Sequence, residues 1–280
     1  MERIITAIQN EAWEEALNLF VDYTSGKELD DKRCVLGASI LEHFDDRDDR
    51  FGLIRSGLRI NMLNYELYLL LGNFYIAENK EKALLCYENA LYYAKKSGSA
   101  EDISVIESII AEYISEANVT LSDVSFLIVA DDDEQSLDRC VNCIEETCGL
   151  GTCDIQIIKT TANESYVDKL NEAIKDLNED NDVFLLSSDV YLTPNSLFNL
   201  RMGLYEDKRI GAVSAVSNIA FDFQVLTAAQ GVDSYDNAVK LAGEINIPGG
   251  NVLENKVLTW TRTREAKRPF IISRCCRMPA

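Results

Sequence analysis

One spacing governs the first 120 residues. Phe20, Ile54 and Tyr87 recur at intervals of 34 and 33, and Leu36-Gly37 returns as Leu71-Gly72 after 35. A fixed period of this size means one supersecondary unit used repeatedly, each copy needing its neighbours to bury its apolar face. Between the anchors the apolar residues keep helical spacing, as in Tyr68, Leu71, Phe74 and Tyr75. The most regular copy is NYELYLLLGNFYIAENKEKALLCYENALYYA. Glu11 to Phe20 reads as the second helix of an earlier copy, and Asp31 to Ile60 as a middle one with Gly57 at its small position, giving two and a half repeats. Ser99, with Asp102 three residues on, predicts the start of one more helix. Its apolar face (Ile103, Ile106, Ile109, Ile110, Tyr113, Ile114) suits a cap on the stack.

Tyr68, Leu71, Gly72, Tyr75, Ala83, Tyr87 and Ala90 resemble the aromatic, Leu-Gly, Tyr, Ala, Phe and Ala positions of a tetratricopeptide repeat. The resemblance implies an α-helical repeat domain over 1–120, which either presents a surface to a protein partner or acts as a spacer.

At Val124 the period changes. VSFLIVA is a short, β-branched apolar run that stops at Asp131-Asp132-Asp133, the pattern of a buried parallel strand ending in an acidic loop. A helix (SLDRCVNCIEETC), a strand (DIQIIKT), a helix from Tyr166 to Leu177 and a strand (DVFLLSS) ending at Asp189 follow. Alternation of this kind predicts an α/β layer with parallel strands, whose ligands sit beyond the strands' carboxyl ends. Thr193-Pro194 predicts the first turn of another helix, and a further one runs from Tyr235 to Ile245 before Pro248-Gly249-Gly250.

Four blocks of this half resemble family 2 glycosyltransferases, which have the GT-A fold. VSFLIVADDDEQSLDRCVNCI is similar to their opening strand, loop and helix. NESYVDKLNEAI matches a family segment at Asn163, Tyr166, Asn171 and Ile174, with Ser165 and Ala173 in place of glycines. DVFLLSSDVYLTPNSLFNLRMGL resembles the stretch with the acidic metal motif, and IGAVSAVSN at 210–218 the next strand.

The resemblance implies a GT-A-like domain over 121–280, matched through about residue 255, and an inverting hexosyl- or rhamnosyltransferase of bacterial type using a nucleotide-sugar donor and Mg or Mn. It gives Asp189 to the metal, and Ala130, Asp131, Asp132, Asn163, Asn171, Ser187 and Ser188 to the nucleotide-sugar cleft. Ser187 stands where the motif's earlier acid would be, and at the end of the second strand either Lys159 replaces an Asp or the family's following loop is deleted. The family's catalytic base lies beyond the matched region, so no base is assigned and the domain is expected to be incomplete. A non-catalytic scaffold working through its helical repeats, with a degenerate second domain, is the alternative.

Charge narrows the partners. Residues 1–121 hold 22 acids against 12 bases, residues 122–255 hold 24 against 8, and residues 256–280 hold one against seven, which makes an acidic chain of net charge −20 with an atypical basic tail. Such a balance disfavours nucleic acid and anionic membranes as partners. No apolar run reaches the roughly 18 residues of a membrane span. The opening MERIITAIQNEAWEEA reads as no secretory signal, so a cytoplasmic location with the eight Cys reduced is expected. Cys140, Cys143, Cys148 and Cys153 lack the paired spacing of a zinc site and read as ordinary thiols. Cys275-Cys276 read as tail residues, His43 as a helix-end surface residue, Gly149-Leu150-Gly151 as a turn, and DDRDDR at 45–50 as a solvated turn.

Overall fold

The structure, a computed structural model, describes residues 1–130, 133–149, 153–159, 166–217, 232, 234–249, 258–261 and 271–273. Asp131, Asp132, Leu150, Gly151, Asn163, Ser165, Gly250, Cys275 and Cys276 lie outside the described residues. The chain divides into two compact units, Met1–Val119 and Thr120–Ala280.

The first unit is helical: α1 (Glu2–Gln9), α2 (Trp13–Thr24), α3 (Asp31–Leu41), α4 (Arg47–Ile60), α5 (Tyr65–Tyr75), α6 (Lys80–Ser97) and α7 (Ala100–Ala117). Each packs on the next in order. The anchors Phe20, Ile54 and Tyr87 are all buried. Glycine decides how closely the helices meet: a Cβ on Gly37 would lie 2.6 Å from Cζ of Phe20, and one on Gly57 2.7 Å from Cδ1 of Leu67. At Gly72 it would run into the Tyr87 ring, whose Cδ1 lies 2.6 Å away. The Tyr87 hydroxyl donates to Oδ1 of Asn73 at 2.7 Å, which fixes the ring over that glycine.

Local caps set the helix starts. Asp30, Asp46, Asn64 and Asn79 accept backbone N–H groups of α3 to α6. Ser99 and Asp102 close the reciprocal box expected at the start of α7. α7 buries only Ile106 fully, leaving Ile103, Ile109, Ile110 and Tyr113 half-covered and Ile114 exposed.

DDRDDR is only partly a solvated turn. Asp46 caps α4, and Arg50 is buried, its Nη2 donating to Glu42 at 2.7 Å and to the Leu70 carbonyl at 3.3 Å. The buried Leu70 carbonyl on α5 draws the guanidinium inward, where its long stem packs as an apolar one would. His43 is exposed and stacks on Trp13 with ring centroids 3.4 Å apart.

The second unit is built on a sheet of order β2-β1-β3-β8-β5, from β1 (Val124–Ala130), β2 (Asp154–Lys159), β3 (Asp182–Ser187), β5 (Ala212–Val213) and β8 (Ile271–Ser273). β1 is parallel to both β2 and β3, while β8 is antiparallel to β3 and β5. All seven residues of β1 are buried, as a central strand covered on both faces requires. Val124, Phe126, Ile128 and Ala130 pack on one face with α8 (Glu134–Thr147) and α10 (Ser196–Leu204). Leu127 and Val129 pack on the other with α9 (Tyr166–Asp176). A second sheet has the order β4-β7-β6, from β4 (Val190–Leu192), β6 (Val216–Ser217) and β7 (Leu258–Thr261).

Two expectations fail here. α10 does not begin at Thr193-Pro194 but at Ser196, after a turn closed by the Ser196 N–H on the Thr193 carbonyl at 3.1 Å. Asn195 caps it in the left-handed region, at φ 63. The stretch 210–218 is likewise not one strand, because β5 and β6 belong to different sheets and Ser214-Ala215 between them belong to neither.

Candidate functional site

β1 has β2 on one side and β3 on the other, so the first crossover carries the chain from β1 to one side and the second brings it back past β1 to the other. A parallel sheet opens a crevice where the strand order reverses in this way, beyond the carboxyl ends of the two strands concerned. Those ends are Ala130 and Ser187. The Ser188 N–H donates to the Val129 carbonyl at 3.0 Å, continuing the ladder one step past β3. Asp189 follows, and Val190 already belongs to β4, so Ser188-Asp189 carries the chain from one sheet to the other. That crossing holds the Asp189 carboxylate mostly inside, at 7% exposure. Ser188 is fully covered and Ser187 half-covered.

Cys140 on α8 backs this turn, its Sγ 3.9 Å from the Ser187 carbonyl. Burial pushes the Cys140 thiol up, and the neighbouring Cys143 and Asp189 add to the shift. Asp133 is committed to the start of α8: it accepts the Ser136 N–H on Oδ1 at 3.2 Å and the Ser136 hydroxyl on Oδ2 at 2.7 Å. The third carboxylate of the acidic loop is thus an N-cap. It also leaves the positive end of the α8 dipole beside the end of β1, where an anion is favoured.

Beyond β4 a buried polar network fixes the walls. Thr193 and Ser196 share a hydroxyl hydrogen bond of 3.0 Å. Nδ2 of Asn246, just past α11 (Tyr235–Ile245), donates to Oγ1 of Thr193 at 2.9 Å and to the Pro194 carbonyl at 3.0 Å. The Asn246 carbonyl in turn accepts from Nδ2 of Asn199 at 2.9 Å. The Tyr235 hydroxyl donates to the Leu192 carbonyl at 2.7 Å. α11 is therefore pinned to β4 and to the start of α10 by side chains fifty residues apart in sequence. None of these roles is legible locally. The available signal is compositional: Asn199 sits in SLFNLRMGL, a helix with every residue buried, so its amide must find partners inside.

The candidate residues are not all gathered at this turn. Ala130, Ser187, Ser188 and Asp189 stand together at the two strand ends. Asn171 is exposed on α9, whose Leu170, Ala173 and Leu177 face the sheet. Lys159 ends β2 exposed, its carbonyl accepting from Nζ of Lys169 at 3.0 Å.

No protein-family model matches the chain, and neither does any curated protein or solved structure. Among the described residues no group of three or more His, Cys, Asp or Glu is arranged to hold a metal ion, and no helix is long and apolar enough to cross a membrane. Asp189 would contribute one carboxylate to a divalent cation. A single carboxylate completed by substrate phosphates and water is the donor set that suits magnesium.

Proposed function

We propose that the chain is a glycosyltransferase of the family 2 kind, binding a nucleotide-sugar donor at the reversal of strand order with a divalent cation on Asp189. The observation that carries this reading is the position of that carboxylate, at the crossing from β3 to β4 and one residue past a backbone bond to the end of β1. The positive end of α8 beside β1 favours a diphosphate there, and the Asn246 network keeps the wall beyond β4 rigid. A divalent cation bound there would neutralise the charge developing on the leaving diphosphate. The first unit would recruit a protein partner through its helices.

Calorimetric titration of UDP, then of other nucleoside diphosphates, with and without manganese tests the donor cleft in the wild type, in Asp189→Ala and in Asp189→Asn. Manganese-dependent binding that disappears in both variants supports the reading. Absence of binding by any nucleoside diphosphate overturns it. The rival, a non-catalytic scaffold acting through the helical unit, is favoured by the commitment of Asp133 to a helix cap and by the exposed Lys159 at the end of β2. It predicts no binding of any nucleoside diphosphate by the wild type, with partner recruitment intact.

A further inference from the structure

Among the six described cysteines, one pair brings its sulfurs together. Cys34 and Cys86 lie in the helical unit, Cys140 faces the Ser187 carbonyl, and Cys143 is buried on α8. Cys148 and Cys153 bring their Sγ atoms to 3.0 Å. Cys148 is the C-cap of α8, buried at 5% exposure, and Cys153 is the residue before β2, half-exposed. Gly149 supplies the geometry: it follows the cap at φ 77, the left-handed conformation that turns a chain back on the helix it leaves. The first residue of β2 is held in the ladder beside β1 by the pairing of Asp154 with Ser125, so both ends of the short connection are anchored.

We propose that Cys148 and Cys153 are a redox modification site that closes to an intramolecular disulfide under a glutathione-type disulfide oxidant. The sulfurs need to approach by only about 1 Å to reach the bonded distance of roughly 2.05 Å. The reaction is two exchanges. The Cys153 thiolate, on the accessible side, attacks one sulfur of oxidised glutathione, forms a mixed disulfide and releases one reduced glutathione. The Cys148 thiolate then attacks Sγ of Cys153 and releases the second. Two protein thiols and one oxidised glutathione thus give one protein disulfide and two reduced glutathiones, the two protons passing to solvent and on to the leaving thiolates. The hydrogen bond shared with Cys148, then burial and the charges of Cys148 and Glu145, hold the Cys153 thiol above the ordinary range, so closure accelerates as pH rises. The bridge would join the end of α8 to the start of β2, at the opposite end of the strands from Asp189, and it stands independently of the glycosyltransferase reading.

The test uses the full chain equilibrated against graded mixtures of oxidised and reduced glutathione, quenched with acid, alkylated and mapped by peptide mass spectrometry. A pair held close by the fold should close with an equilibrium constant roughly 30-fold above that of the same chain unfolded in urea, the factor expected for a loop of about six residues. Cys148→Ser and Cys153→Ser should each stop at a mixed disulfide with glutathione on the remaining thiol. Equal closure in the native and urea-unfolded chain overturns the proposal. So does a native chain that keeps a mixed disulfide with both cysteines present, or a bridge from either to Cys140 or Cys143. Because the decisive comparison uses the wild type, a variant that fails to fold leaves the test intact.

Discussion

Removing the Asn246 amide should loosen the second unit more than its single side chain suggests. The residue is fully buried, and its Nδ2 serves both Oγ1 of Thr193 and the Pro194 carbonyl. In Asn246→Ala the Pro194 carbonyl loses that donor inside the protein, at a cost of about 1–3 kcal/mol. Thr193 keeps Ser196 and loses a normal hydrogen bond, about 1 kcal/mol. The sum is about 2–4 kcal/mol, or a fall of roughly 5–15 °C in Tm for a unit of this size. Urea unfolding followed by Trp260 fluorescence in a Trp13→Phe background isolates the second unit, since the chain has two tryptophans and Trp260 lies in β7.

Asn246→Asp sharpens the test because it keeps the volume and turns a donor into an acceptor facing a carbonyl. The introduced carboxyl, buried and facing that carbonyl, has a folded pKa raised above its unfolded value of about 3.9. Relative stability is then present below the unfolded pKa and lost as pH rises through the folded one. The substitution should be worse than Asn246→Ala at pH 7 and recover below about pH 4. A loss under about 0.5 kcal/mol for Asn246→Ala, the range of ordinary surface substitutions, would refute the clamp, as would equal behaviour of the two variants across pH.

Gly72→Ala should destabilise the first unit by about 1–3 kcal/mol through overpacking on Tyr87, and adding Tyr87→Leu should recover part of the loss; urea titration of Trp13 fluorescence in a Trp260→Phe background reads both. Arg50→Met should cost about 1–3 kcal/mol because the buried Leu70 carbonyl loses a donor, whereas Glu42→Gln, at a more exposed partner, should cost under about 1 kcal/mol in the same assay. The Asp102 carboxyl is held below the usual range by the Ser99 hydroxyl and then by the Ser99 N–H. Its contribution is present above the unfolded pKa and lost as pH falls through the lower folded one, so the difference between wild type and Asp102→Asn should shrink from pH 6 to pH 3.

Legibility in the sequence followed the range of the forces involved. The helices of the first unit announce themselves because their spacing, caps and glycines act within one or two turns, as Ser99 with Asp102 and Gly72 with its flanking apolar residues show. β1 and β3 are equally plain, since a strand covered on both faces reads as a near-continuous apolar run. The start of α10 is not legible locally, because a favourable first-turn proline is outweighed by the Thr193–Ser196 turn and the left-handed Asn195. Arg50 was hidden in a run of charges because its partner carbonyl lies on another helix. At the site, Ser187-Ser188-Asp189 could be read from a strand end, whereas the Asn246 clamp depends on contacts some fifty residues apart. Asn171, which only the resemblance singles out, stands exposed on α9.

The sheet order also sets a timetable for synthesis. β8 lies between β3 and β5, and 86 positions separate Leu185 from its partner Ile271. Elongation at about 5–20 residues per second leaves the β3 edge waiting roughly 4–17 s for the strand that covers it, while the helical unit, built from neighbours in sequence, can finish as it emerges. During that interval a nascent chain shows its fellows an apolar strand edge, Val-Phe-Leu-Leu, with no partner of its own yet made. Crowding of such chains on one messenger, more than the strength of the finished fold, would then govern how much protein a cell recovers.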